Sequence, residues 1–301
     1  MTATIRTEKL TKRYGDSYAL NALDLTVEAG EVFGYLGPNG AGKSTTIALL
    51  LGLMRPTSGT ASVFGLDPWS DGSAIHRRLA YVPSEANLWP ALTAAEVLEF
   101  LGRLHGEVDE PYRHQLIERF FLTPNKKIRA LSHGNRQKIL LIAALASRAD
   151  LLLFDEPTTG LDPLMEQVFR ACVREACDRG QTVLLSSHIL SEVEAVCDRV
   201  AMLHEGRIIE SGRVDALRSL SSVHLRVEVD GAVPDISALA GVSKVTVDRQ
   251  VIECDVVGPM DAVLAVMAPV GIRRITTHEP SLEEVFVSSY GEGSALDGKG
   301  L

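Results

Sequence analysis

Apolar and polar residues alternate from Ile5 to Leu10 and again from Leu23 to Val27, with Gly15 and Gly30 as breaks, which predicts two strands. Val32 to Leu36 is a short apolar run that predicts a buried strand. Past a glycine-rich loop, Ile47, Leu50, Leu51 and Met54 recur at helical spacing. Pro56 and the cluster Thr57, Ser58 and Gly59 are expected to end that helix. The stretch from about 85 to 145 reads mainly helical. Thr93 and Glu96 form a capping-box pattern ahead of Val97, Leu98 and Leu101, and Ile139, Leu140, Ile142, Ala143 and Leu145 mark a helix after Ser132. Strands return at Leu151 to Phe154, Thr182 to Ser186 and Val200 to Leu203, with helices between them. That order predicts a parallel sheet covered on both faces.

The texture changes at a seam near Ser219 to Ser222. Val223, Leu225, Val227 and Val229 then alternate with polar residues, as on a half-exposed strand. A short helix is expected at Ile236 to Ala240, and a hairpin from Val245 to Val247 and Val251 to Val256. Met260 to Met267 reads as helix, Ile272 to Thr276 as extended and Ser281 to Ser288 as helix. The order resembles a β-α-β-β-α-β module with an added helix. The expected organisation is a domain over 1–219, a small α+β domain over 220–290 and a glycine-rich, frayed tail over 291–301.

Composition changes this picture little: of 301 residues 46% are hydrophobic and 23% charged, as in an ordinary folded protein. The net charge of −9 argues against a chain that lives by wrapping nucleic acid, so no nucleic-acid partner is expected. Cys172, Cys177, Cys197 and Cys254 form no C-x-x-C pair, and read as small buried hydrophobes in a reducing compartment. The first residues lack the apolar stretch of a signal peptide, and runs such as Ile47 to Met54 are too short to span a bilayer. The expectation is a cytoplasmic chain whose membrane role, if any, needs a partner.

Candidate chemistry begins at Gly37, Pro38, Asn39, Gly40, Ala41, Gly42, Lys43 and Ser44, which match G-x-x-x-x-G-K-[ST] between a strand and a helix. Glycines let successive amides point inward around a phosphate, and the following helix offers its positive end. Lys43 supplies a cation for the β- and γ-phosphates, and Ser44 a hydroxyl for Mg²⁺. Thr45, directly after the motif, is counted with the nucleotide-binding positions. The apolar run Leu151 to Phe154 ends in Asp155 and Glu156, which places both acids at the carboxyl edge of the sheet. Asp155 suits the surroundings of Mg²⁺ and Glu156 a general base; an acidic turn capping the next helix is the plainer reading. Val183 to His188 is another strand ending in a polar group, either a structural hydrogen-bonder or a group delivered to the γ-phosphate.

Taken together these residues resemble the ATP-binding subunit of ABC transporters over about residues 3 to 218. The resemblance implies an α/β P-loop ATPase with antiparallel β and helical subdomains, the helical one at about 85–145. It makes Tyr14 the aromatic that stacks on adenine, and Leu131, Ser132, His133, Gly134 and Asn135 the counterpart of the LSGGQ signature. Gly160 to Pro163, with Asp162, resembles the D-loop, and His188 the switch histidine. It implies two such domains facing head to tail, each ATP held by the phosphate loop of one and Ser132 and Gly134 of the other. The second domain is another copy of the chain or a paralogous ATPase subunit. Hydrolysis then drives an integral membrane permease on a separate chain, with this subunit peripheral on the cytoplasmic side.

Two departures stand out. Where the family usually carries a metal-contacting Gln, this chain has Ser84 followed by Glu85; Ser84 reaches the metal only through water, or Glu85 stands in. His133 and Asn135 replace Gly and Gln of the signature, and His is less permissive than Gly at a position needing positive φ. Pro280 to Phe286 resembles the ending of exporter-type subunits for drugs, antibiotics and lipids; a packing domain that supports dimerisation is the other reading. Trp89, Leu92 and Phe100 are candidates for the surface that receives the permease, or ordinary helix core. The alternative function is a non-transport ABC ATPase of translation, DNA repair or cluster assembly.

Overall fold

A computed structural model describes residues 3–106, 108–219 and 223–278. The chain divides into two compact units, Met1–Ser211 and Gly212–Leu301. The first begins β1 (Ala3–Tyr14), β2 (Ser17–Glu28), β3 (Val32–Leu36), α1 (Lys43–Leu50), β4 (Ser58–Val63), α2 (Gly72–His76) and β5 (Leu79–Val82). It continues through α3 (Ala94–His105), α4 (Glu110–Arg119), α5 (His133–Leu145), β6 (Leu151–Asp155), α6 (Pro163–Asp178), β7 (Thr182–Ser187), α7 (Leu190–Val196), β8 (Arg199–His204) and β9 (Arg207–Arg213).

A six-stranded sheet in the order β5-β6-β7-β3-β8-β9 forms the centre of this unit. β3, β6 and β7 are buried at every position, as strands covered on both faces must be. β5, β6, β7, β3 and β8 pair in parallel, with Asp155 beside Ser186 and Leu36 beside Ser187. Three strands therefore end level, and the segments that follow them emerge along one edge. A second, antiparallel sheet runs β2-β1-β4, and its inward residues Ile5, Leu10, Leu20 and Val27 join Phe33, Ile47 and Leu153 in one core.

α1 ends at Leu50, earlier than the proline at 56 suggested. Gly52 stops it: its φ is +67°, and a Cβ there would lie 2.1 Å from the carbonyl oxygen of Pro68. Met54 lies beyond the helix but still packs against the core. The helical stretch is borne out as α3, α4 and α5. Thr93 accepts from the amide of Glu96 at 3.3 Å, and the Glu96 carboxylate accepts from the amide of Thr93 at 2.7 Å, which closes the capping box.

The second unit contains α8 (Val214–Ser219), β10 (Val223–Val229), β11 (Val242–Asp248), β12 (Val251–Val256), α9 (Asp261–Met267) and β13 (Ile272–His278). Its antiparallel sheet runs β11-β12-β10-β13 around Leu225, Val227, Ile252, Cys254, Val263 and Met267. The helix expected at Ile236 to Ala240 is a turn. Asp235 draws the amide and hydroxyl of Ser237 onto its own carboxylate at 2.9 and 2.6 Å, and Gly241 leaves at φ +82°, so nothing propagates. The helix expected at Ser281 to Ser288, with Pro280 to Phe286, and the tail lie outside the described residues.

All four cysteines are free; Cys172, Cys197 and Cys254 are buried, and burial pushes the Cys172 thiol up to about 11. Cys177 donates to the Gly30 carbonyl at 2.9 Å. Replacing Thr93 by Ala is expected to destabilise the first turn of α3 by about 1 kcal/mol, read as faster hydrogen exchange at the Glu96 amide.

Candidate active site

The level strand ends decide where the chemistry sits. β3 runs into the loop from Gly37 to Gly42, and α1 begins at Lys43. Gly40 has φ +84° and Gly42 φ +113°, the left-handed turns that fold the loop back on itself. Space is as tight as conformation: a Cβ on Gly37 would lie 2.4 Å from the Leu203 carbonyl oxygen, and one on Gly42 2.5 Å from that of Ala19. The loop is also held from behind. Ala41 donates to the Pro38 carbonyl at 3.1 Å and accepts from the Gly206 amide at 2.9 Å, in the turn between β8 and β9. Asn21 donates to the Gly206 carbonyl at 2.9 Å, tying β2 to the same turn.

In front of the loop lies a cavity of about 160 Å³, lined among others by Ala19, Pro38, Asn39, Gly40, Ser44, Thr45 and Glu156. Lys43 also lines it, yet is only 5% exposed. Its ammonium donates to the carbonyls of Gly37 at 2.6 Å and Pro38 at 3.2 Å, and stands 3.4 Å from a Glu156 oxygen. Backbone amides, a buried ammonium and a helix start around one polar cavity make an anion site.

β6 delivers the two acids as expected, and gives them different surroundings. Asp155 is buried, and accepts the Ser186 hydroxyl at 2.6 Å. Glu156 turns into the left-handed region at φ +47°, a strained conformation for a side chain of its size. Its amide is shared by the carbonyl and hydroxyl oxygens of Ser186, both at 3.1 Å. That turn aims the carboxylate at the cavity, where it lies between Lys43 and the Nδ1 of His188, 3.3 Å away. His188 follows β7 directly and is 43% exposed. Tyr81 of β5 is half-buried; burial and the nearby Asp155 carboxylate push its hydroxyl up to about 12.

The other sequence-marked residues do not line this cavity. Ser132 is the N-cap of α5 and accepts the side-chain amide of Asn135 at 2.9 Å. His133 opens α5 and is absent from the residues with positive φ, so the conformational cost expected of His for Gly does not arise. Gly134 is constrained by space: a Cβ there would lie 2.1 Å from the Gly160 carbonyl oxygen. The start of α5 is thereby packed against the turn that precedes Asp162. Asp162 caps α6, accepting the Met165 amide at 3.0 Å. Tyr14 is 53% exposed, with its hydroxyl 3.3 Å from the Met54 sulfur and the Lys12 ammonium 5.3 Å from its ring centre.

Ser84 follows β5, half-buried. Gln137 of α5, which the sequence did not mark, is fully buried and donates to the neighbouring Pro83 carbonyl at 3.3 Å. Its sequence neighbours Asn135, Arg136 and Lys138 are polar, so no local pattern marks it as a core position. Trp89 and Phe100 are 47% and 41% exposed and meet edge to face at 5.0 Å, whereas α3 buries Ala94, Val97 and Leu98. The reading of Trp89 and Phe100 as helix core is thereby corrected.

Known proteins resemble this chain in sequence and fold. The family model described as ABC transporter matches residues 20–159. The Nod factor export ATP-binding protein I of Burkholderia lata is 35% identical over 297 residues, 95% of this chain and 96% of that protein. The daunorubicin/doxorubicin resistance ATP-binding protein of Streptomyces peucetius is 40% identical over 237 residues, 77% of this chain and 72% of that one. A solved ATP-binding subunit of an ABC transporter superposes with a TM-score of 0.66 at 31% identity, over 71% of this chain and 92% of its own. The chain belongs to the ATP-binding subunits of ABC transporters. It is an ABC-type P-loop ATPase that binds ATP.

Gly134→Ala is expected to force the start of α5 away from Gly160 and to lower ATP turnover at least about tenfold, with ATP binding to the isolated chain retained. Parallel turnover and nucleotide-binding measurements check it.

Proposed function

We propose that this chain powers export of a drug-, antibiotic- or lipid-like substrate through a separate integral membrane permease. The observation that carries its hydrolytic role is the Glu156 carboxylate held between Lys43 and His188 at the mouth of the phosphate cavity. The phosphates of ATP take the amides of the glycine loop and the ammonium of Lys43, which leaves its present partners to meet them. Glu156 then polarises the attacking water as general base, and His188 steadies the γ-phosphate. Asp155 is held beside the site by the Ser186 hydroxyl.

The donor set suits Mg²⁺. The Ser44 hydroxyl and the Asp155 carboxylate are hard oxygen donors, and among the described residues no cluster of three or more His, Cys, Asp or Glu could hold a metal alone. Ser44 and Asp155 would hold the ion together with phosphate oxygens, and Ser84 through water. Bound there, Mg²⁺ neutralises charge on the β- and γ-phosphates.

A second ATPase subunit, a copy of this chain or a paralogue, completes each site. Ser132, His133, Gly134, Asn135 and Asp162 lie away from the cavity of their own chain, which fits residues offered to a facing one. Tyr14, 53% exposed, is the aromatic that stacks on adenine. Among the described residues no helix is long and apolar enough to cross a membrane, consistent with a subunit held at the cytoplasmic face by its permease. Trp89 and Phe100 form the apolar spot that receives it. An ATPase domain over about 1–219 precedes an accessory domain over 220–290, a boundary a few residues beyond the division of the two compact units at Ser211. The names of the two relatives, for Nod factor export and drug resistance, support export over a non-transport ATPase.

Glu156→Gln is expected to cut kcat by about a hundredfold or more while ATP still binds and holds the dimer closed. Unchanged turnover rejects Glu156 as the base. Trp89→Ala with Phe100→Ala is expected to abolish the permease's effect on ATP turnover and leave the turnover of the chain alone intact. Copurification and ATPase measurements with and without the permease distinguish the two.

A further inference from the structure

Glu192 lies in the first turn of α7, outside every motif the sequence presented. One of its carboxylate oxygens accepts the Thr158 hydroxyl at 2.7 Å, and the other accepts the Ser187 hydroxyl at 2.7 Å. Thr158 is two residues beyond Glu156, and Ser187 immediately precedes His188. Both hydroxyl residues are nearly fully buried, at 9% and 1% exposure. The bonds are short, as charge-assisted bonds from hydroxyl to carboxylate are.

The surrounding bonds spread the effect of this clasp. Ser187 has a single proton, and it faces both Glu192 at 2.7 Å and the Ile189 carbonyl at 3.2 Å; the shorter, charged acceptor takes it. The Ile189 amide then donates to the same hydroxyl oxygen at 2.9 Å, closing the turn that carries His188. On the other side, the Thr158 carbonyl accepts the Leu161 amide at 2.9 Å and the Glu156 carbonyl accepts that of Thr159 at 3.2 Å. The Ser187 carbonyl also accepts the amide of Gly37, the first residue of the phosphate loop, at 3.3 Å. The carboxylate borders a cavity of about 10 Å³ shared with Glu166 and Arg170, room for at most one water.

We propose that Glu192 is a positioning residue that sets Glu156 and His188 at their working separation by clasping the two turns that carry them. It does not line the phosphate cavity, and acts through Thr158 and Ser187. This inference rests on the assignment of Glu156 and His188 to hydrolysis.

The test compares Glu192→Ala, Glu192→Gln, Thr158→Val and Glu156→Gln in the full chain, reading kcat, KM for ATP and the melting temperature. Glu192→Ala is expected to lower kcat by about tenfold to a hundredfold with KM for ATP changed little. Glu192→Gln should restore most of it, because the Ser187 hydroxyl can turn to Ile189 and accept from the amide. Thr158→Val should lower kcat in the native background and add nothing in Glu192→Ala, which has already removed the bond that Thr158 makes. Should Glu192→Ala fail to fold, Thr158→Val decides alone: full kcat overturns the proposal. Full turnover in Glu192→Ala beside a dead Glu156→Gln also overturns it and leaves the site reading intact. Full turnover in Glu156→Gln overturns the site reading, and this proposal with it.

Discussion

One carboxylate lies between an ammonium and an imidazole, and the rest of the ATPase unit serves to hold it there. Glu156 stands 3.4 Å from Lys43 and 3.3 Å from His188, although Glu156 and His188 follow two different strands and Lys43 opens the helix beyond a third. Only a parallel sheet with level ends brings them together. The pairing of Asp155 with Ser186 and of Leu36 with Ser187 sets that level. The burial of β3, β6 and β7 on both faces makes it rigid, because a one-residue slip would put whole strands out of register with their covering layers.

Much of this was legible in the chain, for a physical reason. Phosphate binding by amides demands glycine at particular spacing, and buried strands demand apolar runs, so Gly37 to Ser44 and Leu151 to Glu156 announce themselves. What was not legible depends on contacts between distant segments. α1 stops where Gly52 meets the Pro68 carbonyl, and no local pattern reports that approach. β4 is mostly exposed along the edge of its sheet, so its sequence lacks the alternation that marks a strand. The turn at Ile236 to Ala240 was decided by one aspartate competing with the helix for a neighbouring amide. Gln137 and Glu192 escaped notice because their partners lie at Pro83, Thr158 and Ser187.

The start of α5 accommodates His133 and Asn135 without strain. His133 sits in ordinary helical conformation, and Asn135 folds its side chain onto Ser132. The demanding position is Gly134, because the Gly160 carbonyl occupies the place of its side chain. The start of α5 and the turn before Asp162 are thus linked inside the chain. The start of α5 rests on the same turn that leads away from Glu156, so a shift at one is felt at the other before any second subunit is considered.

The turn between β8 and β9 extends that connection out of the site. Gly206 donates to Ala41 of the phosphate loop and accepts from Asn21, and β9 leads from it into the second compact unit. No side chain fits at Gly206 without meeting the backbone of β2, since a Cβ would stand 2.7 Å from the Ala19 carbonyl oxygen. The strand that leaves the ATPase is therefore anchored on the reverse side of its own phosphate loop. A mechanical load on that strand would be shared between its pairing with β8 and the backbone of the phosphate loop.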